Sequence, residues 1–171
     1  MIIAVFIIIF AIRLYSLSIS VRNEKRLIAE GARQYGTANS KLMALLHIVY
    51  YFCSLAESQL RSVRFDAVSA LGLSAVLLSF AALFYVIRQL GPIWTVKIYI
   101  RPEHRINRSW LFRHVRHPNY YLNIVPELIG IGLLCHAWTA MLVLLPLYAL
   151  VLTVRIRQEE AAMKSLFEQV S

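Results

Sequence analysis

The chain has 171 residues, 59% of them hydrophobic, and a formal net charge of +9. A soluble domain would sit nearer ~45–50% apolar, and here the excess is gathered into long runs, which argues against a soluble globular fold. The basic residues lie between those runs, which points to an anionic membrane face and away from nucleic acid as a partner.

Five apolar segments follow one another: Ile2 to Val21, Leu42 to Leu60, Ala67 to Ile87, Tyr120 to Cys135 and Trp138 to Val154. The first three approach the ~20 residues that a bilayer-spanning helix needs. The last two are shorter and almost touch at His136-Ala137, which predicts a tight helical hairpin. No basic stretch precedes the first segment and no small-residue cleavage site follows it, so it is expected to remain as a helix and not to act as a signal peptide. The expected fold is an all-α integral membrane protein of about five transmembrane helices, one domain over residues 1–171.

Between the spans, residues 21–40 read as a polar or interfacial helix ended near Gly31 or Gly36. The connection from Gly91 to Val115, about 25 residues, is long for so small a protein and suited to binding. It holds Trp94, Lys97, Arg101, Pro102, Glu103 and His104. Pro126 and Pro146 are expected to kink their spans. Cys53 and Cys135 lie inside apolar runs without metal-ligand spacing and read as buried small apolar residues.

Charge sets the orientation. Arg22, Lys25, Arg26, Arg33 and Lys41 separate spans one and two, and a further basic group from Arg88 to Arg116 (Arg88, Lys97, Arg101, Arg105, Arg108, Arg113 and Arg116) separates spans three and four. Arg155, Arg157 and Lys164 follow span five, whereas the opposite side has only Arg61 and Arg64 beside Asp66. The positive-inside rule then places the N-terminus outside and the C-terminus in the cytoplasm, in a bacterial inner membrane.

Two polar clusters leave the mouth of the C-terminal hairpin together: Arg113-His114-Val115-Arg116-His117-Pro118-Asn119-Tyr120-Tyr121 and Arg155-Ile156-Arg157-Gln158-Glu159-Glu160. Pro118 suits the first turn of a helix and displays His117 just outside it. A helix N-terminus there favours an anionic group such as a ligand carboxylate. Within the spans, Arg13, His47, Glu57 and Glu127 are ionisable groups in an apolar setting. Glu127 is open between pairing with Arg13 or His47 and lining an active site, and Glu57 reads as an outer-interface residue beside Arg61.

The motif Arg116-His117-Pro118 with Tyr120, followed across a helical hairpin by Glu159-Glu160, resembles the isoprenylcysteine carboxyl methyltransferase family, which overlaps with phospholipid methyltransferases in its C-terminal half. The early segment RNEKRLIAEGARQYG and Glu127 are similar to small bacterial members. The resemblance implies an S-adenosylmethionine pocket formed by the C-terminal hairpin and residues 91–119 and 155–171. His117, Tyr120, Glu159 and Glu160 would contact the cofactor within the motif that includes Arg116 and Pro118. The chemistry of the residues agrees. Arg116 or the helix N-terminus suits the cofactor's carboxylate. Glu159 suits its ammonium or ribose diol, and Tyr120, Tyr121 or Trp94 its sulfonium.

The acceptor implied by the resemblance is a lipophilic or prenylated molecule entering from the bilayer, foremost a prenylcysteine-type carboxylate. Arg155 or Arg88 would orient such a carboxylate. An alkylpyrone or phenol hydroxyl, or a phospholipid amine, would need a base, for which His114 or Glu160 are candidates. A non-enzymatic membrane scaffold is the alternative of another class, and it would not need His117, Tyr120 and Glu159 at one mouth.

Overall fold

The computed structural model describes residues 1–100, 111, 114, 115 and 117–170, with side chains as far as Met163. Helix α1 (Ile2–Ala29) runs unbroken from the first apolar segment through the polar stretch that follows it. It stops at Gly31, whose φ of 82° is the left-handed conformation that only glycine adopts freely. Strand β1 (Arg33–Tyr35) leads to α2 (Thr37–Leu60), and α3 (Ala67–Leu90) ends in a short 3-10 turn, Gly91–Ile93. Strand β2 (Ile98–Ile100) pairs antiparallel with β1, Gln34 opposite Tyr99. The sequence did not announce this two-stranded ribbon, because three-residue strands are too short to show a period. The last two elements are α4 (Val125–Cys135), preceded by a π-helical turn over Asn119–Ile124, and α5 (Trp138–Val170).

Helices over Ile2–Ala29, Ala67–Ile93 and Trp138–Met163 are long and apolar enough to cross a membrane. Helix α2 has 24 residues but opens on Thr37, Asn39, Ser40 and Lys41, and α4 has 11. Cys53 is exposed on α2, not buried as expected, whereas Cys135 is buried in the core.

The connections sort cleanly to two ends. At one end, His136 Nε2 meets Asp66 Oδ1 at 2.9 Å, and Glu57 accepts from the amides of Thr139 and Ala140 at 3.0 Å each. The α2–α3 turn thus sits against the α4–α5 turn. Arg61 pairs with Glu57 there at 2.9 Å, as the spacing suggested. At the other end, the β1–β2 ribbon joins the described parts of the remaining connections, and Ala162 of α5 packs on Ile98 and Ile100. The three basic-rich regions, so far as they are described, share this end.

Helix α4 is held tightly. A Cβ on Gly72 would meet Leu134 N at 2.3 Å and Gly130 O at 2.5 Å, so α3 and α4 touch backbone to backbone. Ser69 Oγ donates to Leu134 O at 3.1 Å, and Tyr50 Oη donates to Leu128 O at 2.8 Å from α2. Around this core the outward faces carry Ile3, Ile7, Leu14, Leu45, Phe52, Leu78 and Leu142, all exposed. That much exposed apolar surface suits lipid, not water.

Candidate active site

Two local features aim the mouth of the hairpin. His117 has a φ of 53°, and Pro118 follows it. Proline disfavours right-handed helical geometry in the residue before it, and histidine tolerates the left-handed region better than most side chains. His117 therefore stands off the helix start, as the motif suggested. The second feature is the π turn, in which Val125 N bonds Tyr120 O five residues back. Pro126 has no amide hydrogen, and its ring would collide with the carbonyl four residues earlier in a regular helix. A widened turn ahead of it relieves that conflict, and Pro126 falls in the first turn of α4. Helix α5 continues through Pro146.

On α5, Arg155 begins about 26 Å from Trp138 at 1.5 Å per residue, close to the thickness of the hydrocarbon core. The Glu159-Glu160 pair lies about one turn further along the same helix. Tyr120 Oη donates to Glu159 Oε2 at 2.6 Å. His117 Nδ1 lies 3.5 Å from Glu159 Oε1, and its Nε2 lies 3.2 Å from Glu160 Oε1. The His117 and Tyr120 rings stack with centroids 5.8 Å apart. The hydrogen bond to Glu159, with Glu160 beside it, raises the His117 imidazole above its ordinary range against the opposing effect of partial burial. The cluster is thus a compact set of two carboxylates, a cation-prone imidazole and a phenol.

Arg155 holds this set to the rest of the fold. It is 2% exposed. Its Nε donates to Tyr120 Oη at 3.2 Å, Nη1 to Ser40 Oγ at 2.6 Å and Nη2 to Val96 O at 2.8 Å. One guanidinium thus ties α5, the π turn, the start of α2 and the strand connection. Asn39 Nδ2 donates to Val151 O at 3.2 Å alongside it. Gly36 completes the approach: a Cβ there would meet Gln158 Oε1 at 2.4 Å. Asn39 and Ser40 escaped the sequence reading, since polar residues opening a helix look like ordinary capping groups.

The remaining expected residues are spread more widely. Pro118 is buried beside the cluster, while His114 and Arg88 are exposed. Tyr121 is 52% exposed and turned away, whereas Trp94 is buried. Arg116 lies outside the described residues, as do Arg101, Pro102, Glu103, His104, Arg105, Arg108 and Arg113.

Glu127 sits deeper, seven residues past Tyr120, and both pairings open in the sequence occur. Arg13 Nε lies 3.4 Å from its Oε1 and His47 Nε2 lies 3.6 Å from the same oxygen. Tyr51 Oη donates to that oxygen as well, and His47 Nδ1 lies 3.4 Å from Tyr148 Oη. Tyr51 and Tyr148 were not singled out in the sequence. The available signal was a tyrosine on each of two apolar helices, facing the level of an intramembrane carboxylate.

The pattern that describes the "Isoprenylcysteine carboxyl methyltransferase (ICMT) family" matches residues 70–165, more than half of the chain. An uncharacterized protein of Haemophilus influenzae is 57% identical over 93% of this chain and 92% of its own length. The uncharacterized protein YpbQ of Bacillus subtilis is 27% identical over 89% of this chain and 90% of its own. No solved structure matches the chain.

Proposed function

The chain belongs to the isoprenylcysteine carboxyl methyltransferase family, and on that premise we propose that it transfers a methyl group from S-adenosylmethionine to an oxygen of a lipophilic acceptor. The observation that carries this reading is Glu159, shared between His117 and Tyr120 at the mouth of the α4–α5 hairpin.

The residues present fit the cofactor. S-adenosylmethionine supplies an electrophilic methyl group on a sulfonium, together with an ammonium, a carboxylate, a ribose diol and an adenine. Glu159 and Glu160 offer acceptors for the ammonium or the diol. His117, with one ring nitrogen toward each glutamate, holds those two carboxylates in place. The Tyr120 ring offers a face for the sulfonium. Trp94 Nε1 and Gln158 Oε1 are buried without a hydrogen-bond partner among the described residues, leaving one donor and one acceptor for a polar ligand. Methyl transfer is a displacement that gains chiefly from alignment and exclusion of water, so a rigid mouth suits it.

The acceptor oxygen bears on the role of Arg155. A prenylcysteine-type carboxylate needs a cation to orient it, and Arg155 has Nε, Nη1 and Nη2 each engaged within the protein. Arg155 is therefore read as the residue that positions Tyr120.

The topology is five crossings with the site in the cytoplasm. Apolar outward residues on α2 (Leu42, Leu45, Ile48 and Phe52) support it as a membrane element. The two-ended sorting of the connections supports alternating crossings, and the basic end is the cytoplasmic one.

Calorimetry of S-adenosylmethionine binding to the detergent-purified chain tests the reading. Wild-type protein is expected to bind, and His117→Ala and Glu159→Ala are each expected to weaken binding at least about tenfold, the size of losing one charged hydrogen bond. Absence of binding by folded wild-type protein overturns it.

A further inference from the structure

We propose that Ser20 and Glu24 of α1 are positioning residues of the cofactor site, acting through Val96 on Arg155 and Tyr120. This role rests on the methyltransferase reading and extends its machinery to two residues outside the family match at 70–165.

The segment between the 3-10 turn and β2 is held from two sides. From α1, Asn23 Nδ2 donates to Gly91 O at 3.1 Å and to Trp94 O at 2.8 Å. Ser20 Oγ accepts from Val96 N at 2.9 Å, and Glu24 Oε2 accepts from Lys97 Nζ at 2.7 Å. From α5, Arg155 Nη2 donates to Val96 O at 2.8 Å. Ser20, Asn23 and Glu24 share one face of the helix by their spacing. That face exists because α1 runs on past its apolar part instead of giving way to a separate interfacial helix. Val96 thus links the two helices, its amide bonded to α1 and its carbonyl to α5.

Ser20 differs from the serines before it. Ser16 and Ser18 return their hydroxyls to carbonyls three residues back, Arg13 O at 2.8 Å and Tyr15 O at 2.7 Å, the local bond common for a helical serine. Ser20 instead donates to Glu24 Oε1 at 3.2 Å. With its hydrogen committed there, the oxygen presents a lone pair to the Val96 amide. Ser20 is 0% exposed and Glu24 7%. A buried carboxylate is costly unless its oxygens are partnered, and here Ser20 takes one and Lys97 the other. An anchor at the membrane surface needs no such buried charge.

From Ser20 the path to the site is short. Val96 O holds one arm of the Arg155 guanidinium, Arg155 Nε donates to Tyr120 Oη at 3.2 Å, and Tyr120 Oη donates to Glu159 Oε2 at 2.6 Å. Loss of the Ser20 hydroxyl leaves the Val96 amide without this partner, and Arg155 loses the fixed acceptor that sets its plane. Ser40 Oγ still holds Nη1 at 2.6 Å, so the guanidinium is displaced and not released.

A double-mutant cycle on S-adenosylmethionine affinity, measured by calorimetry on the detergent-purified full chain, separates this role from a merely structural one. Ser20→Ala is expected to lower affinity about fivefold alone, the size of one hydrogen bond, and less than about twofold in the Tyr120→Phe protein, where the last link is already cut. A contribution to folding alone would multiply the two losses. Glu24→Leu frees the Ser20 hydroxyl to turn back to a carbonyl as Ser16 and Ser18 do. It is expected to follow the same pattern, and it decides the matter should Ser20→Ala fail to fold. Equal fold losses with and without Tyr120→Phe, or unchanged affinity in folded Ser20→Ala, overturn the proposal. Absence of binding by folded wild-type protein is a different result: it refutes the methyltransferase reading and removes the site that these residues would position.

Discussion

The Tyr120 hydroxyl stands between two charges, donating to Glu159 Oε2 at 2.6 Å while accepting from Arg155 Nε at 3.2 Å. It relays the position of a buried guanidinium, itself fixed on Ser40 and Val96, to the carboxylate at the mouth of the site. Tyr120→Phe keeps the ring and its stacking on His117 but cuts the relay. The expected result is S-adenosylmethionine affinity lowered about tenfold, with helix content kept, read by calorimetry and circular dichroism.

The elevated His117 imidazole gives a pH dependence of known sign. A group whose folded pKa is raised contributes stability that is fully present below its unfolded value, about 6.5, and is lost as pH rises through the folded value. Thermal midpoints of the purified chain are therefore expected to fall as pH is taken upward from about 6.5. His117→Asn tolerates the same left-handed backbone and carries no titrating ring, so in it the decline should flatten. An equal slope in both proteins would assign the effect elsewhere.

Gly72 and Gly130 bring α3 and α4 into backbone contact, and the atoms that a Cβ added at Gly72 would strike belong to backbone that cannot swing aside. Gly72→Ala is expected to destabilise the chain by about 1–3 kcal/mol, the usual cost of overpacking. Because α4 carries the π turn, S-adenosylmethionine affinity should fall with it. Thermal unfolding in detergent, with calorimetry alongside, measures both.

At the far end, Glu57 accepts from the amides of Thr139 and Ala140, which have no partner within the first turn of α5. Glu57→Gln keeps one acceptor oxygen and loses the charge that favours a helix N-terminus and pairs with Arg61. A loss of about 0.5–2 kcal/mol is expected, the range for a removed helix cap. S-adenosylmethionine affinity should hold, since this end is remote from His117, and the same two measurements check it.

Long apolar runs, a near-absent turn at His136-Ala137 and an Arg-His-Pro motif opposite Glu159-Glu160 were enough, in sequence, to propose a helical membrane chain and to name the residues at one hairpin mouth. Those features are local. A run of apolar residues has one low-energy use, and two helices joined by so short a turn must lie antiparallel, so His117, Tyr120, Glu159 and Glu160 are forced to the same end. The tertiary structure decided what distant segments do to one another. It paired Arg33–Tyr35 with Ile98–Ile100 and brought Ser40 and Val96 onto Arg155. It also turned Pro126 into the cause of a widened turn and gathered Arg13, His47, Tyr51 and Tyr148 around Glu127. Each of these depends on the rotation and depth of one helix against another. Packing between helices, such as the Gly72–Gly130 backbone contact, sets that relation, and the spacing of residues along a single helix does not encode it.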